Sequence, residues 1–183
     1  MIGFDEIFEI LESKGGARYG GEGVSQLQHA LQCATLAERA GASDDMIVAA
    51  LFHDIGHLIL DDEGAAARGR DLIHEECGAA ALEPLFGPGV AEPVRLHVEA
   101  KRYLSAINPR YLERLSEAST LSLQVQGGPM DADSAARFAD GPHARSAMAL
   151  RSWDEAAKDP EAVTPPLAHF RQTAERLRLQ PNG

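Results

Sequence analysis

ALFHDIGHLIL, residues Ala50–Leu60, sets two histidines and an aspartate inside an otherwise apolar run. The apolar spacing extends back through Ile47, and Ser43 or Asp44 can cap the segment. One helix is predicted to carry the whole stretch. A buried imidazole needs a partner, and a buried carboxylate needs one more urgently. Adjacent helical positions point about 100° apart, so His53 and Asp54 meet at one site only along a bundle axis. A divalent metal there satisfies both. His and Asp donors suit iron, zinc or manganese, and no cysteine cluster points to a sulfur site.

Outward from this segment the chain reads as helices. Val, Ile and Thr are sparse, Ala is abundant, and apolar residues recur at helical spacing. Phe4, Ile7, Phe8 and Leu11 form one face of a first helix that ends at Gly15-Gly16. A glycine-rich loop, Ala17 to Gly23, leads into a helix from about Ser25 to Ala40, stopped by Gly41. Ala65 to Gly69 reads as a loop. Further helices are expected over Leu72 to Phe86, from Ala91-Glu92-Pro93 to about Leu104, and from Asn108-Pro109 to about Ser119. A loop around Gly127-Gly128-Pro129 follows, then helices over Asp131 to Asp140, His143 to Ala157 and Leu167 to Leu177. No internal repeat or dividing linker interrupts this pattern. The expectation is one all-α helical bundle over residues 1–183, with its working core at about 25–154.

The 183 residues suit one domain with its own core. Hydrophobic residues at 44% against 25% charged argue against disorder. The formal charge of −11 offers no field for a nucleic-acid backbone. Only Lys14, Lys101 and Lys158 are lysines, too few for a polybasic membrane patch. His53, Asp54 and His57 interrupt the longest apolar run, so nothing is expected to span a bilayer. The opening MIGFDEIFEILESKGG is acidic where a secretory signal is basic, which gives a cytoplasmic expectation. Cys33 and Cys77 lie in apolar helical stretches and read as two reduced, buried thiols. A small molecule is the expected partner, with neither nucleic acid nor membrane. Oligomeric state is not legible.

His29, His74 and His97 each sit within a predicted helix among apolar neighbours. A lone helical histidine is ordinarily a core or surface residue, and His143 and His169, in polar Pro-flanked segments, are read that way. The combination His29, His53-Asp54 and Asp154 is different. It resembles the signature of the HD-domain superfamily, helical metal-dependent proteins that include many phosphohydrolases. The resemblance spans about Ser25 to Asp154. It implies a dinuclear centre, with His29, His53, Asp54 and Asp154 around one metal. Asp54, His74 and His97 would hold the other, and Asp54 would bridge, because a carboxylate has two oxygens to share. Partners behind these histidines should orient them, and the sequence does not identify those partners.

Phosphodiesterases of this superfamily often carry HDxGK, whereas this chain has HDIGH, with His57 in the lysine's place. A dinuclear phosphohydrolase is therefore the alternative reading, and a non-catalytic metal- or ligand-binding regulator a third. The runs RYGGEGVSQLQHALQCA (Arg18–Ala34) and ALFHDIGH (Ala50–His57) fit a different branch more fully. Together with His97 and Lys101, they resemble the mixed-valent diiron oxygenases of the HD superfamily that cleave organophosphonates. Members of that family act on 1-hydroxy-2-aminoethylphosphonate or its N-trimethylated analogue, giving phosphate plus glycine or glycine betaine. The resemblance implies two irons as Fe(II)/Fe(III), with O2 as co-substrate. It makes Tyr19 a loop residue that occupies the open iron position until substrate displaces it. Glu22 would meet the amino end of the substrate. Lys101, Ser119, Gln126 and Arg151 would surround the phosphonate, and His57 would sit near the substrate with a proton-transfer or supporting role. These residue types fit the chemistry, since a phosphonate dianion suits Lys and Arg and an ammonium suits a carboxylate. The glycines around Tyr19 and Glu22 permit a loop that closes as a lid. Whether the nitrogen is a free amine or trimethylated is not legible, because a quaternary ammonium favours aromatic partners and only Tyr19 is at hand.

Overall fold

The computed structural model describes residues 1–16, 22–61, 69 and 73–179. In chain order the elements are α1 (Phe4–Lys14), α2 (Gln26–Arg39), α3 (Asp44–Phe52), α4 (Ile55–Leu60), α5 (His74–Phe86), α6 (Pro88–Arg95), α7 (His97–Ile107), α8 (Pro109–Arg114), α9 (Glu117–Val125), α10 (Ala132–Ala139), α11 (Ala144–Ala156) and α12 (Leu167–Leu177). No strand occurs among the described residues. The all-α expectation holds.

Several helices start where a side chain satisfies their first free N–H groups. Ser25 Oγ accepts from Gln28 N at 3.2 Å, and Gln28 Oε1 accepts from Ser25 N at 2.8 Å. This reciprocal cap fixes the start of α2 and hence the position of His29. Asn108, Ser116 and Asp131 cap α8, α9 and α10 in the simpler one-way manner.

The helices are shorter than periodicity predicts. The expected run through Leu60 breaks between α3 and α4, and the run to Leu104 breaks at Leu96. A third break separates α8 from α9, where Ser116 opens a new helix. At the first two breaks the backbone is nearly the same, with φ −101° and ψ 9° at Asp54 and φ −95° and ψ 0° at Leu96. Both lie in the sparsely occupied bridge region, where active-site residues recur. Each break re-aims the chain beside a histidine, His53 in one case and His97 in the other.

Two apolar clusters flank the buried polar residues. In the larger, Phe8 meets Phe52 edge-on at 5.1 Å, and Phe52 stacks on Phe86 at 6.3 Å. Phe170 of α12 is fully buried against the same cluster. Each such ring contributes about 1.5–3 kcal/mol by leaving water. The smaller cluster gathers Ala100, Met130, Ala135, Phe138, Ala144 and Ala147 from α7, α10, α11 and the α9–α10 connection. Helix α11 serves both, since Leu150 belongs to the larger one. It packs against α2 and α7, the helices that carry His29 and His97.

Gly56 makes the join between α4 and α5. A Cβ at this position would lie 1.9 Å from the His74 carbonyl oxygen, so only glycine allows the two backbones to meet. Gly78 faces the same contact, where a Cβ would lie 3.4 Å from Gly56 N. The approach sets Asp54 next to His74. Of the two thiols, Cys33 is buried, but Cys77 is only partly so. It sits one position off the buried Gly78-Ala79 face of α5, which corrects the expectation of two buried thiols. Among the described residues no helix is long and apolar enough to cross a membrane.

Candidate metal centre and substrate pocket

Five elements or their junctions send His29, His53, Asp54, His74, His97 and Asp154 into one interior region, and all six are buried. His29 Nε2 and His53 Nε2 lie 3.2 Å apart. Asp154 Oδ1 is 3.3 Å from the first and 3.8 Å from the second. Asp54 Oδ2 is 3.4 Å from His53 Nε2 and 3.9 Å from His29 Nε2. The other Asp54 oxygen, Oδ1, lies 3.5 Å from both His74 Nε2 and His97 Nε2. Those two nitrogens are 3.1 Å apart. One carboxylate thus presents a separate oxygen to each histidine pair.

The tautomers follow from what lies behind the rings. His29 Nδ1 donates to Ala157 O at 2.8 Å, His53 Nδ1 to Ala50 O at 2.9 Å, and His97 Nδ1 to Val94 O at 2.7 Å. A carbonyl oxygen only accepts, so Nδ1 bears the proton and Nε2 keeps its lone pair. In these rings Nε2 faces inward. Two pairs of inward nitrogens at 3.1–3.2 Å, ringed by carboxylate oxygens, need a proton or a cation between them. This donor set fits two metal ions. The ligand atoms of His29, His53 and Asp154 lie within 4.8 Å of one another, as do those of Asp54, His57 and His74. His74 departs from the carbonyl pattern, because its Nδ1 faces Glu75 Oε2 at 3.3 Å.

Charge follows the geometry. Burial works against a charge on Asp54, but His53 overrides it and holds the carboxyl well below the usual range. Burial likewise opposes ionisation of Asp154, and Arg151 beside it holds that carboxyl low. His57 stacks on His74 with ring centres 3.8 Å apart. Burial first, and His74 second, push His57 down to about 3. It is therefore a neutral imidazole at ordinary pH.

Of the expected phosphonate residues, Arg151 and Ser119 share one polar network, which Lys101 joins through Ser122. Arg151 donates to Asp154 Oδ2 and to Glu155 Oε2. It also reaches Tyr111 Oη at 2.7 Å and Ser119 Oγ at 3.4 Å. Lys158 Nζ reaches Ser116 Oγ at 3.1 Å, Ser119 Oγ at 3.0 Å and Glu155 Oε1 at 3.1 Å. It also lies 3.4 Å from Glu22 Oε1. Lys101 is buried and donates to Ser122 Oγ at 2.8 Å. Gln126 ends α9, and its Oε1 is buried with no hydrogen-bond partner among the described residues. Tyr19, together with the rest of its expected lid, lies outside the described residues, apart from Glu22 and Gly23.

Sequence reading missed Glu75, Tyr111, Ser122, Glu155 and Lys158. One of these had a signal: Glu155 stands four positions after Arg151 on one face of α11, whereas Lys158 lies beyond the end of that helix. Nothing local marks Tyr111 or Ser122.

The HD domain family matches this chain over residues 27–126. The chain belongs to the HD-domain family. As an HD protein it is 43% identical over 175 residues to the [1-hydroxy-2-(trimethylamino)ethyl]phosphonate dioxygenase (glycine-betaine-forming) of Leisingera caerulea, covering 92% of this chain and 86% of that one. It is 42% identical over 171 residues to the hydroxymethylphosphonate dioxygenase of Gimesia maris, covering 92% and 85%. The uncharacterized protein L432 of Acanthamoeba polyphaga mimivirus is 34% identical over 90% of this chain and 77% of that protein. The family expected from the HDIGH stretch is thus the family found.

Proposed function

We propose that this HD protein is a diiron oxygenase that cleaves the C–P bond of a hydroxyalkylphosphonate. Its preferred substrate is a 1-hydroxy-2-(trimethylamino or amino)ethylphosphonate, which yields phosphate and glycine betaine or glycine. The two phosphonate dioxygenases named above support the reaction class. The observation that carries the reading is Lys101. It is a buried ammonium with no carboxylate in ion-pairing reach among the described residues, yet it feels the charges of Asp54 and Asp154. A buried cation so situated needs an anion, and a phosphonate supplies one at the edge of the metal centre.

In this reading His29, His53, Asp54 and Asp154 hold one iron, and Asp54, His74 and His97 hold the other. A bound Fe(II)/Fe(III) pair supplies activation of O2 beside the substrate's C1 carbon. The protein's own groups orient and exclude. Lys101, Arg151, Ser119 and Gln126 fix the phosphonate, and neutral His57, stacked on His74, supports that ring near the reacting carbon. Glu22 would meet the cationic end of the substrate. All six ligands and these contacts belong to one HD domain spanning the chain.

A second reading of the substrate has its own support. Glu22, the carboxylate expected to meet the cationic end, already has Lys158 at 3.4 Å. A cationic head must compete with that lysine, whereas hydroxymethylphosphonate need not. The deciding assay is phosphate release from racemic 1-hydroxy-2-aminoethylphosphonate, its trimethylated analogue and hydroxymethylphosphonate, using iron-loaded protein with and without O2. Oxygen-dependent release is expected, fastest with a cationic substrate. Fastest release from hydroxymethylphosphonate moves the assignment to the second reading. Oxygen-independent release returns the protein to the hydrolytic members of its family.

Lys101 also sets a pH dependence. Burial first, and Arg151 second, lower its pKa from 10.5 to about 8. The cation that binds the phosphonate is therefore lost as pH rises through 8, and kcat/KM should fall above that point. Lys101→Arg keeps its charge and should carry the falling limb to higher pH. The same shift has a stability sign. The unfolded chain holds this proton up to 10.5 and the folded chain only to about 8, so stability rises with pH between them. At neutral pH the buried ammonium costs roughly 3 kcal/mol, and Lys101→Met should melt at a higher temperature while losing phosphonate affinity.

A further inference from the structure

We infer that Glu75 is a positioning residue that makes the two metal positions chemically unequal, by placing an anion directly behind His74. This rests on the reading that His74 and His97 hold a metal. Three of the four expected ligand histidines are backed by neutral backbone carbonyls, at Ala157, Ala50 and Val94. Among the described residues, His74 is the one of the four with a carboxylate behind it, Glu75 Oε2 lying 3.3 Å from Nδ1. Both ends of that contact are shielded, at 7% and 12% side-chain exposure, so solvent screens it weakly. The contact is an electrostatic approach and not a hydrogen bond, and the negative charge there favours the proton on Nδ1 and makes Nε2 a stronger donor to a cation.

The charge count explains why the anion belongs on this side. The position between His29 and His53 meets two carboxylate oxygens, Asp54 Oδ2 and Asp154 Oδ1. The position between His74 and His97 meets only Asp54 Oδ1 from that pair of aspartates. Glu75 offsets the deficit through the imidazole, without occupying a ligand position that substrate needs. Its neighbour Glu76 does something else, reaching across the surface to Arg95. The site reading alone required only that something orient His74. The carboxylate adds charge, and charge favours the higher oxidation state of whatever iron His74 holds. In the one-electron couple Fe(III) + e− ⇌ Fe(II), the Nδ1 proton stays on His74, and the electron comes from an added reductant.

The test is titration of metal-free protein with Fe(II), followed by a redox titration with dithionite and ferricyanide, on the native chain and on Glu75→Gln. Glutamine keeps the size and removes the charge. One of the two iron affinities should weaken about 10–100-fold, the usual consequence of losing a partner behind a ligand. The other should stay within about twofold, and the midpoint of the weakened iron should rise. A merely structural role for Glu75 would lower thermal stability without splitting the two affinities or moving the midpoint. Equal weakening at both positions, or no change at either, overturns the inference. If Glu75→Gln does not fold, Glu75→Asp replaces it. That variant keeps the charge at shorter reach and should give a smaller loss confined to the same position, and an equal loss at both again overturns the inference. A native chain that takes up only one iron defeats the two-metal reading itself, a result distinct from two irons that ignore Glu75.

Discussion

Asp54→Ala should bind neither metal firmly, whereas Asp154→Ala should still hold one. Asp54 sends Oδ2 toward His29 and His53 and Oδ1 toward His74 and His97. Its removal strips both positions at once. Asp154 Oδ1 reaches only the first histidine pair, so its loss leaves the second set of donors intact. A catalytic metal is worth several kcal/mol of stabilisation in the transition state, and each 1.4 kcal/mol is about a factor of ten in rate. Oxygen-dependent phosphate release should therefore fall by at least about a thousandfold in Asp54→Ala. Metal analysis of the purified variants reads the pattern directly. Two equivalents of metal retained by Asp54→Ala would remove the bridging role, and equal losses in the two variants would remove the division of ligands between two positions.

Arg151→Met should be the most damaging change that replaces no metal donor. The guanidinium is 3% exposed and serves Asp154, Glu155, Tyr111 and Ser119 together. Burial works against its charge, and Asp154 and then Tyr111 and Glu155 beside it more than restore it. Taking the cation away leaves two carboxylates on successive positions of α11 to face each other without it. Breaking a buried pair in this way costs about 3–5 kcal/mol, or roughly 10 °C in melting temperature for a chain of this size. The loss should be larger in metal-free protein, because a metal on Asp154 Oδ1 takes over part of the neutralisation. Arg151→Lys should recover little, since one ammonium cannot spread across four partners. Thermal melts of the metal-free and iron-loaded forms check both points, and an unchanged metal-free melt would falsify the account.

His53 and Asp54 could be singled out because they break an apolar helical run with groups that cannot be buried alone, whereas His29, His74, His97 and Asp154 joined them through the family resemblance. The all-α architecture was readable from the same periodicity, and α12 runs from Leu167 to Leu177 as the spacing predicts. The breaks at Asp54 and Leu96 were not readable. Local propensity favours helix straight through both, and only the convergence of several helices on one interior point makes the bridge-region backbone worth its strain. Gly56 stood in plain view within HDIGH, but its reason is the His74 carbonyl, contributed by a helix that begins elsewhere. Tyr111 could not be found because it meets Arg151 from 40 positions away. Lys158 was countable as one of three lysines, and its tie to Glu22 emerges only in three dimensions.

The ring that holds His29 closes late in the life of the chain. Its Nδ1 partner is the carbonyl of Ala157, 128 positions further on, and its carboxylate neighbour is Asp154. Asp54, His74 and His97 are all synthesised well before either. Chains emerge from the ribosome N-terminal end first. Under the two-metal reading proposed above, a nascent chain therefore exposes the donors of one metal position while the other still lacks its last ligand and its tautomer lock. Whichever divalent ion is at hand can enter the early position, and the arrival of α11 then seals that choice.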